Sequence, residues 1–373
     1  MKDRPAVVMG LGPSGLFLVR QLRRITENIF AIGRNDDVGM FSRYINRKKR
    51  YYAQTEDTVF AALEKIGREE GARPLVYLCS DQYLTMLINA KRGPREVCEL
   101  AGTDLDTLGK INNKAQINRY CAENGILIPE TEEMAAFCAK EDKAFPVIVK
   151  WKEKDLEARN NPVGKTLVCR DEEQFARLLS ELETSWVTPE MLLVQPFIPG
   201  DNGSQYSVGG YYKDGEPLAF VTVRQPRQFP QGISAQVYSA DGGICEKAER
   251  IAFDLAKRFR FSGFLETEFK ADENTGAVYL LDVNPRPWGW VSILGAVYED
   301  FYKVLENKRP ESPKQNAIWT SPVRNALSSK NPANAETEQK ALLYKKAADI
   351  ADSKDRLPGL MLYFMALKKK LKR

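Results

Sequence analysis

The chain contains no histidine among its 373 residues. That absence excludes Ser-His-Asp and Cys-His nucleophile systems, histidine-ligated zinc and any imidazole general base. Chemistry here must run on carboxylates, lysines, arginines, hydroxyls and bound ions. Six cysteines are present, at 79, 98, 121, 138, 169 and 245, and no two of them form a CxxC pair. Thiols this dispersed argue against a zinc site or a disulfide framework and for a reducing compartment, so a cytoplasmic location is expected. No apolar run approaches the length of a membrane span. A strand starts by about Pro5, so no leader peptide is expected. Strong charge is missing too: +5 is mild at this length, and the basic runs RKKR (47–50) and KKKLKR (368–373) are local. No nucleic-acid partner is expected.

A chain of this length exceeds what one hydrophobic core serves, so two or three packed domains are expected. The stretch AVVMGLGPSGLFLVRQLRRI (6–25) reads as a short apolar strand, a turn with Gly10, Gly12 and Gly15, and a helix with apolar residues at 16, 19, 22 and 25. The G-x-G-x-x-G spacing suits a dinucleotide pyrophosphate on a helix N-terminus. The acidic residue that would confirm it should end the next strand, but IFAIGR ends in Gly33-Arg34. An arginine there is compatible with NADP, so an NAD(P)-linked oxidoreductase stays as a minor alternative to a plain tight turn in a doubly wound α/β domain. Helices are expected over 56–71 and 81–91, with a strand over 74–80 between them and a domain end near 105.

Further along, the pattern predicts a helix from 107 with a glycine cap at Gly125, then a strand closed by Pro129. Helix 132–140, strand 146–151, a polar loop 152–163, strand 164–170, helix 171–183 and strand 192–197 follow. From 205 the character is antiparallel, with Asp214-Gly215 marking a hairpin turn. Helix 244–260 precedes two strands joined by a turn at 273–276, and 311–355 reads as polar with helical character.

The most informative stretch is AVYLLDVNPRPWGW (277–290). Its apolar run reads as a buried strand that Pro-x-Pro cannot continue. Side chains alternate along a strand, so Asp282, Asn284 and Arg286 project the same way at its end. The preceding strand, GFLETEFKAD, can bring Glu268 alongside them. Two carboxylates and an amide oxygen are hard ligands of the kind magnesium takes, with phosphate oxygens completing the shell. Lys150 closes the apolar strand PVIVK and is a candidate phosphate clamp, with Lys114 as a second. In LLVQPFIPG, Gln195 offers an amide, and the carbonyl of 196 and the N–H of 198 offer backbone groups to a planar base.

In order and spacing these pieces resemble the ATP-grasp superfamily, most of all its D-aspartate-ligase-like and carboxylate–amine ligase members, from about residue 5 to 310. GLGPSGLFLVRQL and FSRYINRKKRYY are similar to the family's first-domain motifs, and NNKAQINRYCAENGILIPET to its nucleotide-contacting segment. PVIVKW is similar to the strand whose lysine binds the α/β-phosphates. VRQPRQFPQG and ETEF…LLDVNPRP are similar to its R-x-x-R-Q-x-P-x-x-G loop and metal-ligand strands. The resemblance implies an α/β N-terminal pre-ATP-grasp domain plus an α+β ATP-grasp fold whose two subdomains clasp ATP. The implied boundaries are 1–105, 106–195 (small subdomain), 196–310 (large subdomain) and a helical extension over 311–373.

The resemblance further implies an ATP-dependent carboxylate–amine ligase acting through an acyl phosphate, with an amino acid as one partner. Lys114, Lys150, Gln195, Pro196, Phe197, Ile198, Asp201 and Asn202 would hold ATP. Glu268, Asp282 and Asn284 would hold one or two Mg2+. Arg286 would hold the acyl-phosphate oxyanion, and Arg224 and Arg227, on a lid loop, would clamp phosphate or substrate carboxylate. Asn113 stands where the family has Asp, Trp151 where proline is common, Pro196 where Glu is usual and Asp282 where Glu is commoner. The competing class is a catalytically weak ATP-binding regulatory protein of the same fold. The tail GLMLYFMALKKKLKR, apolar then basic, is expected to dock on the body, with peripheral contact to anionic lipid as the alternative.

Overall fold

The computed structural model describes residues 4–152, 161–164, 166–328 and 335–371. The loop expected over 152–163 lies mostly outside the described residues. Among the described residues three sheets organise the fold. The first is parallel, in the order β3-β2-β1-β4-β5, from β1 (Ala6–Met9), β2 (Ile29–Gly33), β3 (Arg50–Tyr52), β4 (Leu75–Leu78) and β5 (Glu99–Leu100). Its central strands are apolar on both faces because helices cover both, which is what a parallel sheet requires. The second is antiparallel, in the order β6-β9-β7-β8, from β6 (Glu132–Glu133), β7 (Val147–Trp151), β8 (Thr166–Cys169) and β9 (Leu192–Pro196).

The third and largest sheet has the order β14-β13-β10-β11-β12-β15-β16. It is built from β10 (Gln205–Lys213), β11 (Glu216–Gln228), β12 (Ser234–Ser239), β13 (Gly263–Ala271), β14 (Val278–Asn284), β15 (Ala317–Thr320) and β16 (Lys345–Lys346). The Asp214-Gly215 turn joins β10 to β11, with positive φ at both residues, as a two-residue hairpin turn demands.

The first and third sheets share one core. Leu18, Val19 and Leu22 of helix Pro13–Leu22 belong to the same buried cluster as Val221 and Val223 of β11 and the segment around Trp288 and Phe301. The second sheet keeps a core of its own, where Val147, Val149 and Val194 meet Phe175 and Leu178 of helix Glu172–Glu183.

Several expectations need correction. One helix from 107 is in fact two, Leu105–Asn112 and Lys114–Glu123, because the Asn113 side chain turns back to accept the N–H of Gln116 and caps the second. Both pack through Leu108, Ile111, Ile117 and Cys121 into the core beneath β10 and β13, away from the second sheet with which they were grouped. Among the described residues no strand forms over 126–129, where the N–H of Leu280 donates to the carbonyl of Leu127. The segment over 311–355 has its expected helical character in Pro322–Leu327 and Ala335–Leu343, but it also contributes β15 and β16 to the edge of the large sheet.

The glycine turn is tied to other parts of the chain. Asp37 Oδ2 accepts the N–H of Leu11 at 3.2 Å and of Arg34 at 2.9 Å, so a carboxylate of the chain joins the turn to the end of β2. The N–H of Gly39 donates to the carbonyl of Leu11 at 2.7 Å, laying a further segment across the turn. All six cysteines are free, and five of them are buried.

Helix Arg356–Leu371 docks on the body, with Leu362 and Met365 packed against Leu16, Val38 and Ile350. Leu357, Leu360, Tyr363 and Phe364 of the same helix face outward. Among the described residues no helix is long and apolar enough to cross a membrane.

Candidate active site

Antiparallel pairing of β13 with β14 sets Glu268 opposite Asp282 and Glu266 opposite Asn284. Alternation then turns all four toward one cavity of about 370 Å³. The Asn284 amide donates to Glu266 at 3.2 Å and to Glu268 at 3.4 Å, holding the two carboxylates together. Glu266 was not singled out from sequence, although it stands two residues before Glu268 and the same alternation places it there.

Lysines face these carboxylates. Lys150 lines the cavity from β7, and Lys114 lines it from the first turn of its helix. A second cavity of about 120 Å³ shares Lys114, Lys150, Gln195 and Asp282 with the first and is otherwise mainly apolar, with Ile128, Leu193 and Leu280. Gln195 is buried on β9, and its side-chain amide donates to Thr131 Oγ1 at 2.5 Å.

Arg286 lies just past the end of β14 on the same cavity. Its Nε and Nη2 fork onto Asp81 at 2.6 and 2.5 Å, and its Nη1 donates to the carbonyl of Pro287. Burial alone would lower the pKa of this guanidinium, but Asp81, Glu266 and Asp282 together carry it above its ordinary value. Asp81 opens helix Asp81–Ile88, which follows β4 and has Ser80 as its N-cap, so an element beside the parallel sheet reaches directly into the cavity. No sequence pattern pointed to Asp81.

The cavity floor carries a chain of amides. Gln205 on β10 donates to Glu268 at 3.4 Å, Gln228 on β11 donates to Gln205, and Gln228 accepts the N–H of Gly232 at 2.8 Å. The segment 229–233 between β11 and β12 is thereby tied to Glu268.

Other residues singled out from sequence stand elsewhere. Arg224 and Arg227 lie within β11 rather than on a loop, because β11 continues past Pro226 with its register to β12 shifted there. Arg224 donates to the carbonyl of Gly203 and pairs with Glu336 at 3.3 Å, while Arg227 Nη1 donates to Asn325 at 2.8 Å. Neither lines the cavity. Pro196, Phe197, Ile198, Asp201 and Asn202 are also off its wall. The Phe197 N–H is taken by the carbonyl of Pro146, and Lys270 donates to the carbonyls of Gly200 and Asp201.

The donor set fits a hard divalent cation in kind, since Glu266, Glu268, Asp282 and the Asn284 amide all bear oxygen on one cavity. Among the described residues no group of three or more carboxylates or thiols has metal-holding geometry by itself. Such a set needs the oxygens of a bound phosphate to complete it.

The fold is ATP-grasp. The chain superimposes with a TM-score of 0.63 on a carboxyaminoimidazole ribonucleotide synthase from Aspergillus clavatus complexed with ATP, at 14% identity over 85% of this chain and 82% of that one. An ADP complex of N5-carboxyaminoimidazole ribonucleotide synthetase gives 0.63 at 11% identity, covering 85% and 81%. An L-amino acid ligase from Bacillus licheniformis gives 0.58 at 13% identity, covering 84% and 76%. No protein-family model matches the chain, and no curated protein matches it by sequence.

Proposed function

We propose that the protein is an ATP-dependent carboxylate–amine ligase. The observation that carries this reading is that Lys114 and Lys150 line the same cavity as Glu266, Glu268, Asp282, Asn284 and Arg286. Cations for phosphate oxygens and hard oxygen ligands for magnesium converge on one space, in a fold whose solved neighbours include complexes with ATP and ADP.

The smaller apolar cavity suits the base, with Gln195 at its rim. Lys114 and Lys150 neutralise phosphate charge, and Arg286, oriented by Asp81, faces the acyl oxyanion. Magnesium, held by Glu268, Asp282 and Asn284, would supply further charge neutralisation at the phosphates. A substrate carboxylate oxygen attacks the γ-phosphorus, the bond to ADP breaks, and an acyl phosphate forms. The amine then attacks the acyl carbon, inorganic phosphate leaves, and the amine proton passes to solvent. The energy resides in the anhydride, so the protein mainly positions reactants and needs no imidazole. A reducing compartment such as the cytoplasm suits its six free thiols.

The test is Mg-ATP-dependent phosphate release across paired acids and amines. Lys150→Ala is expected to raise the KM for ATP by about tenfold or more, and Asn284→Ala to lower kcat by about a hundredfold. ADP formation that no acid–amine pair stimulates, or that survives both substitutions, would refute the reading.

A further inference from the structure

Part of the cavity wall is left unused by the nucleotide and the metal. Glu268 and Asp282 enter from β13 and β14, whereas Trp319 enters from β15, separated from β13 by β10, β11 and β12. At the usual strand spacing that is roughly 19 Å along the sheet. Arg324, on the short helix Pro322–Leu327 that follows β15, lines the cavity from this side. Its Nη1 donates to the carbonyl of Ser234 at 3.2 Å, and the other four N–H donors have no hydrogen-bond partner among the described residues. Burial lowers its pKa, with Asp349 pulling partly back without reaching ion-pair distance. Arg324 is half-buried, and its unfilled donors stand open to an oxyanion that enters the cavity.

The same wall is made of indoles. Trp288, Trp290 and Trp319 are each no more than 2% exposed, and Trp288 packs against Trp290 at 5.1 Å between ring centroids. Trp288 Nε1 is a buried donor with no acceptor. Glycine at 209 gives the Trp288 ring its space, since a Cβ there would come within 2.2 Å of it. The surface therefore offers an oxyanion contact beside an apolar wall.

We propose that Arg324 and this indole wall form a subsite for the carboxylate of the amine substrate, an α-amino acid with an apolar side chain. This rests on the ligase reading above. A carboxylate held on the β15 side is kept away from the lysines and carboxylates that gather the phosphates, so it is spared phosphorylation. The amino group remains to meet the acyl phosphate, and the side chain lies along the indoles. The carboxyl-terminal segment thus supplies substrate selection to a cavity whose phosphate side is built by other elements.

The experiment is a tryptophan-fluorescence titration of the full chain with leucine and with leucinamide, repeated in Arg324→Gln and Arg324→Lys, with Mg-ATP binding measured in each. Leucine is expected to bind about ten- to a hundredfold more tightly than leucinamide in the wild type. Arg324→Gln should erase that gap and Arg324→Lys retain part of it, with Mg-ATP affinity unchanged in both. Equal binding of leucine and leucinamide by the wild type, or a gap that persists in Arg324→Gln, would overturn the subsite. Absence of ATP turnover with every acid–amine pair, alongside an Arg324-dependent preference for leucine, would instead overturn the ligase reading and leave the subsite standing.

Discussion

Gly209 sits under the Trp288 ring with no room for a methyl group. Gly209→Ala is expected to displace the indole and cost about 1–3 kcal/mol, read as a lowered midpoint in chemical denaturation. The Asp81–Arg286 fork is the second sensitive point. Removing Asp81 leaves a largely buried guanidinium without its carboxylate, so Asp81→Ala should destabilise by about 3 kcal/mol. The double variant Asp81→Ala/Arg286→Ala should lose less than the sum of the two single losses, because each single variant already breaks the same pair. Full additivity in that cycle would show that the fork contributes nothing as a pair.

At the scale of elements, Asp300 supplies a pH-dependent tie. Burial would raise its pKa, but hydrogen bonds from Ser312, from the Glu311 N–H and from Lys303 hold it well below the usual carboxylate range. A depressed carboxylate stabilises the fold above its unfolded-state pKa and loses that contribution as pH falls through its folded-state value. Asp300→Asn should therefore lower Tm by about 2 °C at pH 7, a deficit that closes below about pH 3. A deficit constant from pH 7 to pH 3 would rule out the charged form as its source.

What the sequence made legible follows the strength of local pattern. The β13–β14 pair could be read because alternation fixes which side chains share a face, and that alone brings 268, 282 and 284 together. The break at Asn113 was missed because a capping asparagine inside a helical pattern resembles any polar residue on an exposed face. β15 and β16 were missed because four and two residues carry almost no periodicity; their pairing is decided by the open edge of β12. Arg224 and Arg227 were misplaced because two prolines and a glycine suggested a loop, where the strand in fact persists through Pro226 with a shift of register. Asp81 and Arg324 were beyond reach, since their place on the cavity comes from tertiary packing.

For the whole molecule, Asp355 is the principal staple of the carboxyl-terminal segment. It is fully buried, pairs with Arg20 at 3.2 Å, and accepts from the Ser42 hydroxyl at 2.8 Å and the Arg43 N–H at 2.9 Å. The Arg20 guanidinium also donates to the carbonyls of Asp349 and Ile350, so one side chain fastens the stretch before the last helix. Asp355→Ala leaves Arg20 with an uncompensated charge and should cost about 3–5 kcal/mol. Limited proteolysis is the suitable readout: cleavage in the carboxyl-terminal third should appear well before cleavage elsewhere. Uniform susceptibility along the chain would contradict this assignment.

The shared core between the parallel sheet and the large sheet, together with the carboxylate that Asp81 lends to Arg286, bears on how such a molecule can change over generations. A recombination event that replaced the first hundred residues would have to bring a matching partner for the arginine and a matching apolar face at once. Ancestry for these two parts should therefore be inherited as a unit. The second sheet, with a core of its own, is the part that gene shuffling could replace with least damage.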